Sequence, residues 1–399
     1  LLAGSHFHLH YSRIGLTNIW DSLLALCAMG GIAVAWHSEK RNAWLGAGLA
    51  IGLSAYVFTS AHLLPLMLIP IFVVALLFHR ETLLAQGRHI VSATSLALVT
   101  ALPQTLFFNA RPHLFMERVN LLGIQRNGWL AAEALSRNLT EGDVFRQQLW
   151  QAAMGFTAML DKDDMYGATV PLIGWLTGTF FLLGVGMALY HFRQMRYTVL
   201  ITTIVITVIF GGALLVEAPH SRRYLIALPA VFLLAARALV WLIDTISTQS
   251  RSPLTAYRRH FVLLLATALA LLDTSFYFRQ YQSSHLFADR NTELAHEMAD
   301  YLNELEGDWT AYFHGAPAMY VSFSTLPFLA NGFEGNINLF DVVDPTVLPA
   351  ADSPNVVHIF VPERLGEIET IREIRPNGTT TQIDGFKSSP LFLTYESTP

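Results

Sequence analysis

The chain has 399 residues, of which 53% are hydrophobic and only 14% are charged. In a soluble globular domain about a quarter of the residues are charged. The lower share here predicts that much of this chain is not in contact with water. The formal net charge is −5, and no basic tract is present that would hold nucleic acid. The one cysteine, Cys27, excludes an intramolecular disulfide and a structural metal site built from several cysteines.

Apolar runs long enough to cross a membrane recur along the first 278 residues. A spanning helix needs about 20 mainly apolar residues. The sequence predicts such helices at 16–36, 89–108, 170–190, 199–216, 224–243 and 260–277.

The apolar stretch 43–78 is too long to be one span. As a single helix it would measure about 54 Å at 1.5 Å per residue, whereas the hydrocarbon core is about 30 Å thick. The polar residues at 59–62 and the following Pro65 predict a break. Two shorter spans, 44–58 and 63–78, bring the predicted total to about eight.

The basic residues predict which side of the membrane each loop faces, because Lys and Arg collect in short cytoplasmic loops. With eight spans, one side receives Lys40, Arg41, Arg80, Arg88, Arg193, Arg196, Arg251, Arg258 and Arg259. That side is predicted to be cytoplasmic. The N-terminal segment, the loop 109–169 and the tail from residue 279 are then predicted to face outward.

The outer loop 109–169 belongs to the predicted membrane region 1–278. It carries helical patterns at 129–137 and 143–160 with amphipathic stripes. These patterns favour either helices that lie on the membrane surface over a cavity or a packed structural loop.

The tail 279–399 is predicted to be a small α/β domain on the extracytoplasmic side. A helix is expected at 291–305, with Asp289 or Asn291 as its cap. Further predicted elements are strands at 310–314, 356–361 and 391–395 and a helix at 317–329. No nucleotide-binding motif is present.

Four polar clusters lie at predicted outer ends of spans, where hydrocarbon makes polar groups costly. They are residues 6–13, His62, residues 161–164 and residues 217–224. In the last cluster, Arg222 and Arg223 lie on the outer side, against the trend of the other basic residues. Paired guanidinium hydrogen bonds could bind the phosphate of a lipid-linked donor. An interfacial anchor for lipid headgroups is the alternative.

Two clusters raise the question of a metal ion. His6, His8 and His10 could place imidazoles on one side of an extended segment, and the aspartates of 161–164 could hold a divalent cation. A solvated loop is the commoner explanation of such a run of aspartates. We therefore assign no metal and no cofactor, and a divalent cation remains open.

Short motifs of the membrane region resemble a known enzyme family. Residues 10–16, HYSRIGL, resemble the "SRiGl" segment of the GT-C membrane glycosyltransferases, especially the protein mannosyltransferase and aminoarabinose transferase group (glycosyltransferase family 39-like). Residues 44–53, followed by Pro65, resemble that group's glycine-containing helix. Residues 219–229, PHSRRYLIALP, resemble its late "RY…P" segment. The resemblance covers most of the membrane region.

The resemblance implies transfer of a sugar from a polyprenyl-phosphate donor to an acceptor at the outer membrane face. Arg222, Arg223 and Arg13 are then expected to bind the donor phosphate, and Tyr224 and His62 to contact substrate. The family's catalytic acidic residue precedes the SRiGl segment, so we expect it upstream of Leu1 and expect this chain alone to be inactive.

The single cysteine and the outward tail predict a bacterial plasma membrane, whereas a protein of the endoplasmic reticulum would have the same topology. Membrane lipids are the expected surroundings. The donor sugar and the acceptor stay open. A lipid-linked sugar transporter or flippase and a non-catalytic membrane scaffold are the alternatives. Transporters often carry paired repeats, and no internal repeat is evident here.

Overall fold

The computed structural model describes residues 1–163, 165–216, 218–249, 254–287, 289–330, 337–386 and 388–398. Asp164, Glu217 and Arg251, which belong to the predicted polar clusters and basic loops, lie outside the described residues. The chain divides into two compact units, Leu1–Ser283 and Ser284–Pro399. The first unit is helical, and the second contains a five-stranded sheet.

Each predicted apolar run of the first unit contains a helix. The long helices are Ile19–Ser38, Arg41–Leu53, Leu63–Phe78, Gly87–Ala110, Trp175–Tyr190, Met195–Ile206, Leu228–Gln249 and Leu254–Phe276. The other helices include His6–Arg13, Arg80–Ala85, Pro112–Leu122, Trp129–Ser136, Glu141–Ala153 and the short helix Ser221–Tyr224, which contains Arg222 and Arg223. The π-helical turns Thr207–Ala213 and Tyr277–Tyr281 continue two of the long helices.

Six helical segments in the described part of the chain are long and apolar enough to cross a membrane. They are Ile19–Ser38, Thr59–Phe78, Gly87–Ala110, Met195–Ala213, Ser221–Ser247 and Tyr257–Ser284. The apolar helices Trp175–Tyr190 and Arg41–Leu53 are shorter, with 16 and 13 residues. The total of about eight spans therefore remains a prediction.

Apolar side chains cover the outside of these helices. On Gly87–Ala110, Val91, Leu98 and Leu106 are each more than half exposed. A monomeric soluble protein rarely exposes so continuous an apolar surface, whereas hydrocarbon tails match it. This surface indicates an integral membrane protein.

The predicted break in the long apolar stretch is confirmed. Arg41–Leu53 and Leu63–Phe78 are separate helices, joined through the 3₁₀ turns Ser54–Tyr56 and Thr59–His62. The Ser60 hydroxyl donates a hydrogen bond to the Asp21 carboxylate on the neighbouring helix. Ser60, one of the polar residues of the break, thus has a polar partner, Asp21, within the protein.

Small residues let two of the helices pack closely. On Arg41–Leu53, Gly48 lies against the backbone of Ala93, and Gly52 lies against Ala97 and Thr100 of Gly87–Ala110. A Cβ atom at position 48 would overlap the Ala93 carbonyl oxygen. Close backbone approach at small residues is a main source of helix association in lipid, where the hydrophobic effect gives little help.

The outer loop folds into three helices, of which the sequence predicted two. Trp129–Ser136 is confirmed, and Glu141–Ala153 ends several residues before the predicted end at 160 because the chain turns from residue 154. The Thr140 side chain caps the latter helix in a capping box with Asp143. Pro112–Leu122 is the helix that was not predicted.

Backbone pairing fixes this loop to the segment that follows Thr207–Ala213. The Val216 amide donates to the Leu122 carbonyl at 2.9 Å, and the Ile124 amide donates to the Leu214 carbonyl at 3.2 Å. The Gln148 side chain adds a hydrogen bond to the Leu215 carbonyl at 2.7 Å. These bonds support the packed alternative for the loop.

The second unit contains one sheet whose strands are β1 (Trp309–His314), β2 (Ile337–Asp341), β3 (Asn355–Phe360), β4 (Thr379–Asp384) and β5 (Pro390–Ser397). Their order is β2-β1-β3-β5-β4, with the first three parallel. The predicted strands β1, β3 and β5 are confirmed and are central. The edge strands β2 and β4 were missed because they are less buried and lack a continuous apolar run.

The helices of this unit are Arg290–Asn303, Thr325–Leu329 and Ile368–Ile374. The first is confirmed, and its predicted cap Asp289 accepts a hydrogen bond from the Thr292 amide at 2.8 Å. The predicted helix 317–329 is wrong over most of its length. Residues 317–324 form turns, and the Val321 amide instead donates to the Asp341 side chain at 2.8 Å.

Two buried histidines lie side by side on β1 and β3. His314 Nε2 is 3.0 Å from His358 Nδ1, and His314 Nδ1 is 2.8 Å from Glu367 Oε2. Arg364 Nε donates to the other oxygen of Glu367 at 2.6 Å. Burial lowers the pKa of His314 to about 4, although Glu367 opposes the shift, and burial and the neighbouring His314 lower the pKa of His358 to about 3.

We expect Gly48→Ala to lower the unfolding free energy by about 1–3 kcal/mol, because the added methyl group forces two helices apart. The measurement is thermal unfolding of the purified chain in detergent. Gly46→Ala is the matched control, since nothing lies within 4 Å of its added Cβ. It should be neutral or gain up to about 1 kcal/mol of helix propensity. Equal shifts in both variants would contradict the close packing at Gly48.

We expect the second unit to lose stability as the pH falls from about 6.5 toward 4. Both histidines are neutral in the fold and bind protons more readily when unfolded, so their contribution is complete above the unfolded pKa. Protonation of His314 alone should lower the unfolding free energy by on the order of 3 kcal/mol. The test is denaturant-dependent labelling of a cysteine introduced by Ala311→Cys in a Cys27→Ser chain.

His314→Gln should flatten this pH dependence, because it removes a buried titrating group. His296→Asn, at a histidine exposed on the helix Arg290–Asn303, should leave the pH dependence as it is. A pH-independent midpoint in the parent chain would refute the argument.

Candidate functional site

The structure brings together three of the four predicted polar clusters around the carboxylate of Asp163. Its side chain is 1% exposed. Asp163 Oδ2 accepts from Arg222 Nε at 2.6 Å and from the Tyr11 hydroxyl at 3.4 Å, and His220 Nδ1 lies 2.9 Å away. Asp163 Oδ1 accepts from the Met165 amide at 3.2 Å. One buried carboxylate thus connects segments that are far apart in the sequence.

Backbone hydrogen bonds hold the two outer segments next to each other. The Ser221 amide donates to Asp161 Oδ1 at 2.8 Å, and the Lys162 amide donates to the Pro219 carbonyl at 3.1 Å. The hydroxyl groups of Ser221 and Tyr11 are 2.6 Å apart. These hydrogen bonds therefore fix the backbone just before Arg222 and Arg223.

The two aspartates of this site have opposite electrostatic roles. Burial alone would raise the pKa of Asp163, but its contacts with His220 and Arg222 outweigh burial and hold the pKa below its ordinary value. Burial raises the pKa of Asp161 to about 6, and the negative charge of Asp163 adds to this shift, while hydrogen bonds from Ser221 oppose it. Asp163 is the permanent anion that balances the arginine.

The three predicted phosphate-binding arginines lie in different surroundings. Arg222 is one-third exposed and bonded to Asp163 only through Nε. Arg223 is buried, and its Nη1 donates to the Val216 carbonyl at 2.9 Å. Arg13 is exposed and lies over the rings of Tyr277 and Phe278, at 5.6 and 5.1 Å from the ring centres.

The two predicted substrate-contacting residues lie apart from each other. Tyr224 is fully buried, packs on Phe156, and donates from its hydroxyl to the Ala152 carbonyl at 2.8 Å. His62 stacks on Phe115, with ring centres 6.1 Å apart, and its Nε2 is 3.4 Å from the Ala55 carbonyl oxygen. The substrate roles of both residues remain predictions.

His62 lines a large apolar cavity of about 990 Å³. The cavity runs between Arg41–Leu53, Leu63–Phe78 and Gly87–Ala110. It reaches Trp36 and Trp44, next to the basic residues 40 and 41, and at its other end Asn109, next to the outer loop. It therefore follows the length of the spans, with most of its polar lining near the predicted outer end.

The alternating histidines are not on an extended strand. His6–Arg13 is a helix, so His6 and His10 lie one turn apart on its buried side and His8 points elsewhere. His6 Nδ1 is hydrogen-bonded to the Tyr166 hydroxyl, and the Tyr281 hydroxyl donates to the Tyr166 carbonyl at 2.6 Å. Among the described residues, no group of three or more His, Cys, Asp or Glu could hold a metal ion.

Tyr166 and Tyr281 are site residues that the sequence did not reveal. Their rings pack at 5.2 Å, and Tyr166 also packs on His6, His10 and Tyr11. Each tyrosine is isolated in its own segment, so no motif marks it. They join the site only because three distant segments of the chain fold together there.

No family model and no curated protein matches this chain. Among solved structures, it is similar to the archaeal oligosaccharyltransferase AglB from Archaeoglobus fulgidus in complex with an inhibitory peptide and a dolichol-phosphate, at 13% identity and a TM-score of 0.41. The match covers 81% of this chain and 47% of that chain, so this chain spans about half of its length. A TM-score this low does not establish a common fold.

We expect Asp163→Asn to loosen the site, because it removes the anion that holds Arg222 and His220. The cost should be about 2 kcal/mol, as for a hydrogen bond to a charged group. Hydrogen exchange should quicken in the segments 161–167 and 219–224. Asp143→Asn, which breaks a surface pair with Arg146, is the control and should leave those segments unchanged. Unchanged exchange in both variants would contradict the central role of Asp163.

Proposed function

We propose that this protein transfers a sugar from a polyprenyl-phosphate donor to an acceptor at the outer membrane face, and that Arg222 binds the donor phosphate. The proposal rests on one observation, the hydrogen bonding of the Arg222 guanidinium group. Its Nε is hydrogen-bonded to Asp163, whereas its two terminal amino groups have no hydrogen-bond partner in the part of the chain that the structure describes.

This arrangement suits an anion site. A guanidinium group binds phosphate oxygens through parallel hydrogen bonds, and here Asp163 fixes the plane of the group without using the terminal donors. A side chain already held in its binding conformation loses less entropy when the ligand arrives. One-third exposure leaves Arg222 open to a ligand, while burial of Asp163 keeps the pair from being fully screened by water.

The chemistry of the reaction requires a cation at this phosphate. The bond between the sugar anomeric carbon and the phosphate oxygen breaks, and the acceptor oxygen forms the new bond to that carbon. The leaving polyprenyl phosphate gains a negative charge, which Arg222 stabilises in the transition state. The acceptor proton goes to a carboxylate base.

The other predicted residues take supporting places in this proposal. Arg223 is buried and bonded to a backbone carbonyl, so it acts on the site through the shape of its segment. Arg13 adds a further exposed cation at the end of His6–Arg13. The cavity lined by His62 has the apolar walls that a polyprenyl chain needs, and we place that chain there.

The orientation belongs to the same proposal. Arg222 and the second unit, from residue 279 in the predicted boundary, face away from the cytoplasm, in a bacterial plasma membrane. The lipid-linked donor and the surrounding membrane lipids are the partners, and the acceptor is a protein, lipid or glycan on that side.

The test is transfer from radiolabelled polyprenyl-phosphate sugars in membranes that carry the full-length protein. Arg222→Ala should lower the transfer rate about 100-fold, as for loss of one charge-stabilising donor. Arg222→Lys should recover part of the rate, since lysine keeps the charge but loses the paired hydrogen bonds.

Arg137→Ala is the control, because Arg137 is an exposed arginine of the outer loop with a surface partner, Glu133. It should transfer at the parent rate. Full activity of Arg222→Ala would remove Arg222 from the site, and a parent protein that uses no polyprenyl-phosphate sugar would remove the proposed reaction.

A further inference from the structure

A second, smaller cavity contains polar groups that the proposed transfer reaction does not use. It has a volume of about 210 Å³. Its walls come from the helix His6–Arg13, the start of Trp175–Tyr190 and the helix Leu254–Phe276. Its polar lining includes His6, Thr177 and Asp273, and its apolar walls include Trp175, Leu269 and Phe276.

His6 is 1% exposed, and only one of its ring nitrogens is bonded. Nδ1 pairs with the Tyr166 hydroxyl, whereas Nε2 is buried and has no hydrogen-bond partner among the described residues. Burial lowers the pKa of His6 to about 4, so the ring is neutral near pH 7. A buried ring nitrogen without a partner costs free energy, and a ligand in the cavity would supply the missing bond.

Asp273 presents an unused carboxylate to the same cavity. It lies on the candidate span Tyr257–Ser284, and no hydrogen bond or ion pair to it exists within the described ranges. Its Oδ1 would be 2.6 Å from a Cβ atom added at Gly174, so the carboxylate stands directly at the start of Trp175–Tyr190. An ionisable group on a spanning helix suggests a site by default.

The cavity also offers backbone donors. Trp175–Tyr190 has 16 residues, its first residue follows Gly174, and no side chain caps it. The first amide groups of such a helix lack partners and carry partial positive charge. The Asp273 carboxylate therefore accepts hydrogen bonds on one side of the cavity, and the helix start donates them on the other. His6 Nε2 can donate or accept a hydrogen bond, according to which ring nitrogen carries the proton.

This combination selects among ligand classes. An ammonium group would meet the positive helix start, and an anion would meet the Asp273 carboxylate. A hydroxyl group donates and accepts at the same time, so two neighbouring hydroxyls satisfy both walls. The Trp175 and Phe276 rings give the C–H side of such a molecule an apolar surface.

We propose that this cavity binds a vicinal diol, such as the end of a polyhydroxylated lipid headgroup or a soluble polyol. The rim of the cavity faces lipid, because Trp175, Leu176 and Leu272 are each more than half exposed. A tryptophan at the start of an apolar helix is typical of the headgroup level of a bilayer. The binding is separate from the sugar transfer at Arg222 and is tested by binding alone.

The experiment compares two lipids that differ only in the diol. The purified protein is mixed with dioleoyl phosphatidylglycerol or dioleoyl phosphatidylpropanol, which share the phosphate charge, and retained lipid is counted by native mass spectrometry. The parent should prefer the phosphatidylglycerol by about tenfold, the value of one to two hydrogen bonds. Asp273→Asn should reduce the preference to about threefold or less.

Leu271→Ala is the matched control, since Leu271 is an exposed neighbour of Asp273 outside the cavity lining, and it should keep the tenfold preference. If Asp273→Asn does not fold, His6→Gln serves in its place with the same expectation. Glycerol 1-phosphate, the headgroup alone, distinguishes the two sources. Competition by it at concentrations like those of the lipid indicates a soluble polyol, and no competition indicates a lipid.

Either of those results supports a diol site. Equal retention of the two lipids by the parent, together with no binding of glycerol 1-phosphate, would overturn the proposal. So would a preference that survives in both Asp273→Asn and His6→Gln.

Discussion

Polar groups inside an apolar membrane region must find partners within the protein, and the buried carboxylate of Asp163 is where this constraint is met. Hydrocarbon supplies no hydrogen bonds, so residues that would be harmless in a soluble loop become costly and are drawn together. Asp163 gathers Tyr11, Ser221, His220 and Arg222 from segments separated by up to 210 residues of sequence. The arrangement of these segments depends on this charge balance.

The same constraint explains why neighbouring arginines have different surroundings. Arg222 donates to the Asp163 carboxylate and is one-third exposed, whereas Arg223 is buried and donates to a backbone carbonyl. On a short helix, successive residues point in different directions, so one of two adjacent arginines reaches the open side. A basic pair in the sequence can therefore contain one partly exposed arginine and one buried arginine.

Buried polar groups of the second unit also need hydrogen-bond partners within the protein, and they find them on neighbouring strands. His314 and His358 lie on neighbouring strands, where His314 bonds to His358 and to Glu367. Both are buried, so the stability of the sheet depends on pH, whereas His6 Nε2 has no hydrogen-bond partner among the described residues and His6 lines a cavity. The contrast separates buried histidines that bond to each other from one that leaves a ring nitrogen unbonded beside a cavity.

The sequence by itself determined the apolar helices, the break at 59–62 and the central strands, because these depend on local apolar runs and on helix caps such as Asp289. It also identified the polar clusters that contain Arg222 and Asp163, since charge near a span is unusual. Only the tertiary structure decided that Asp163 pairs with Arg222, that Arg223 is buried, that Tyr166 packs beside this site and that Asp273 lines a cavity. Those facts depend on contacts between distant segments, and edge strands β2 and β4 were missed for the same reason: their neighbours, rather than their own residues, make them strands.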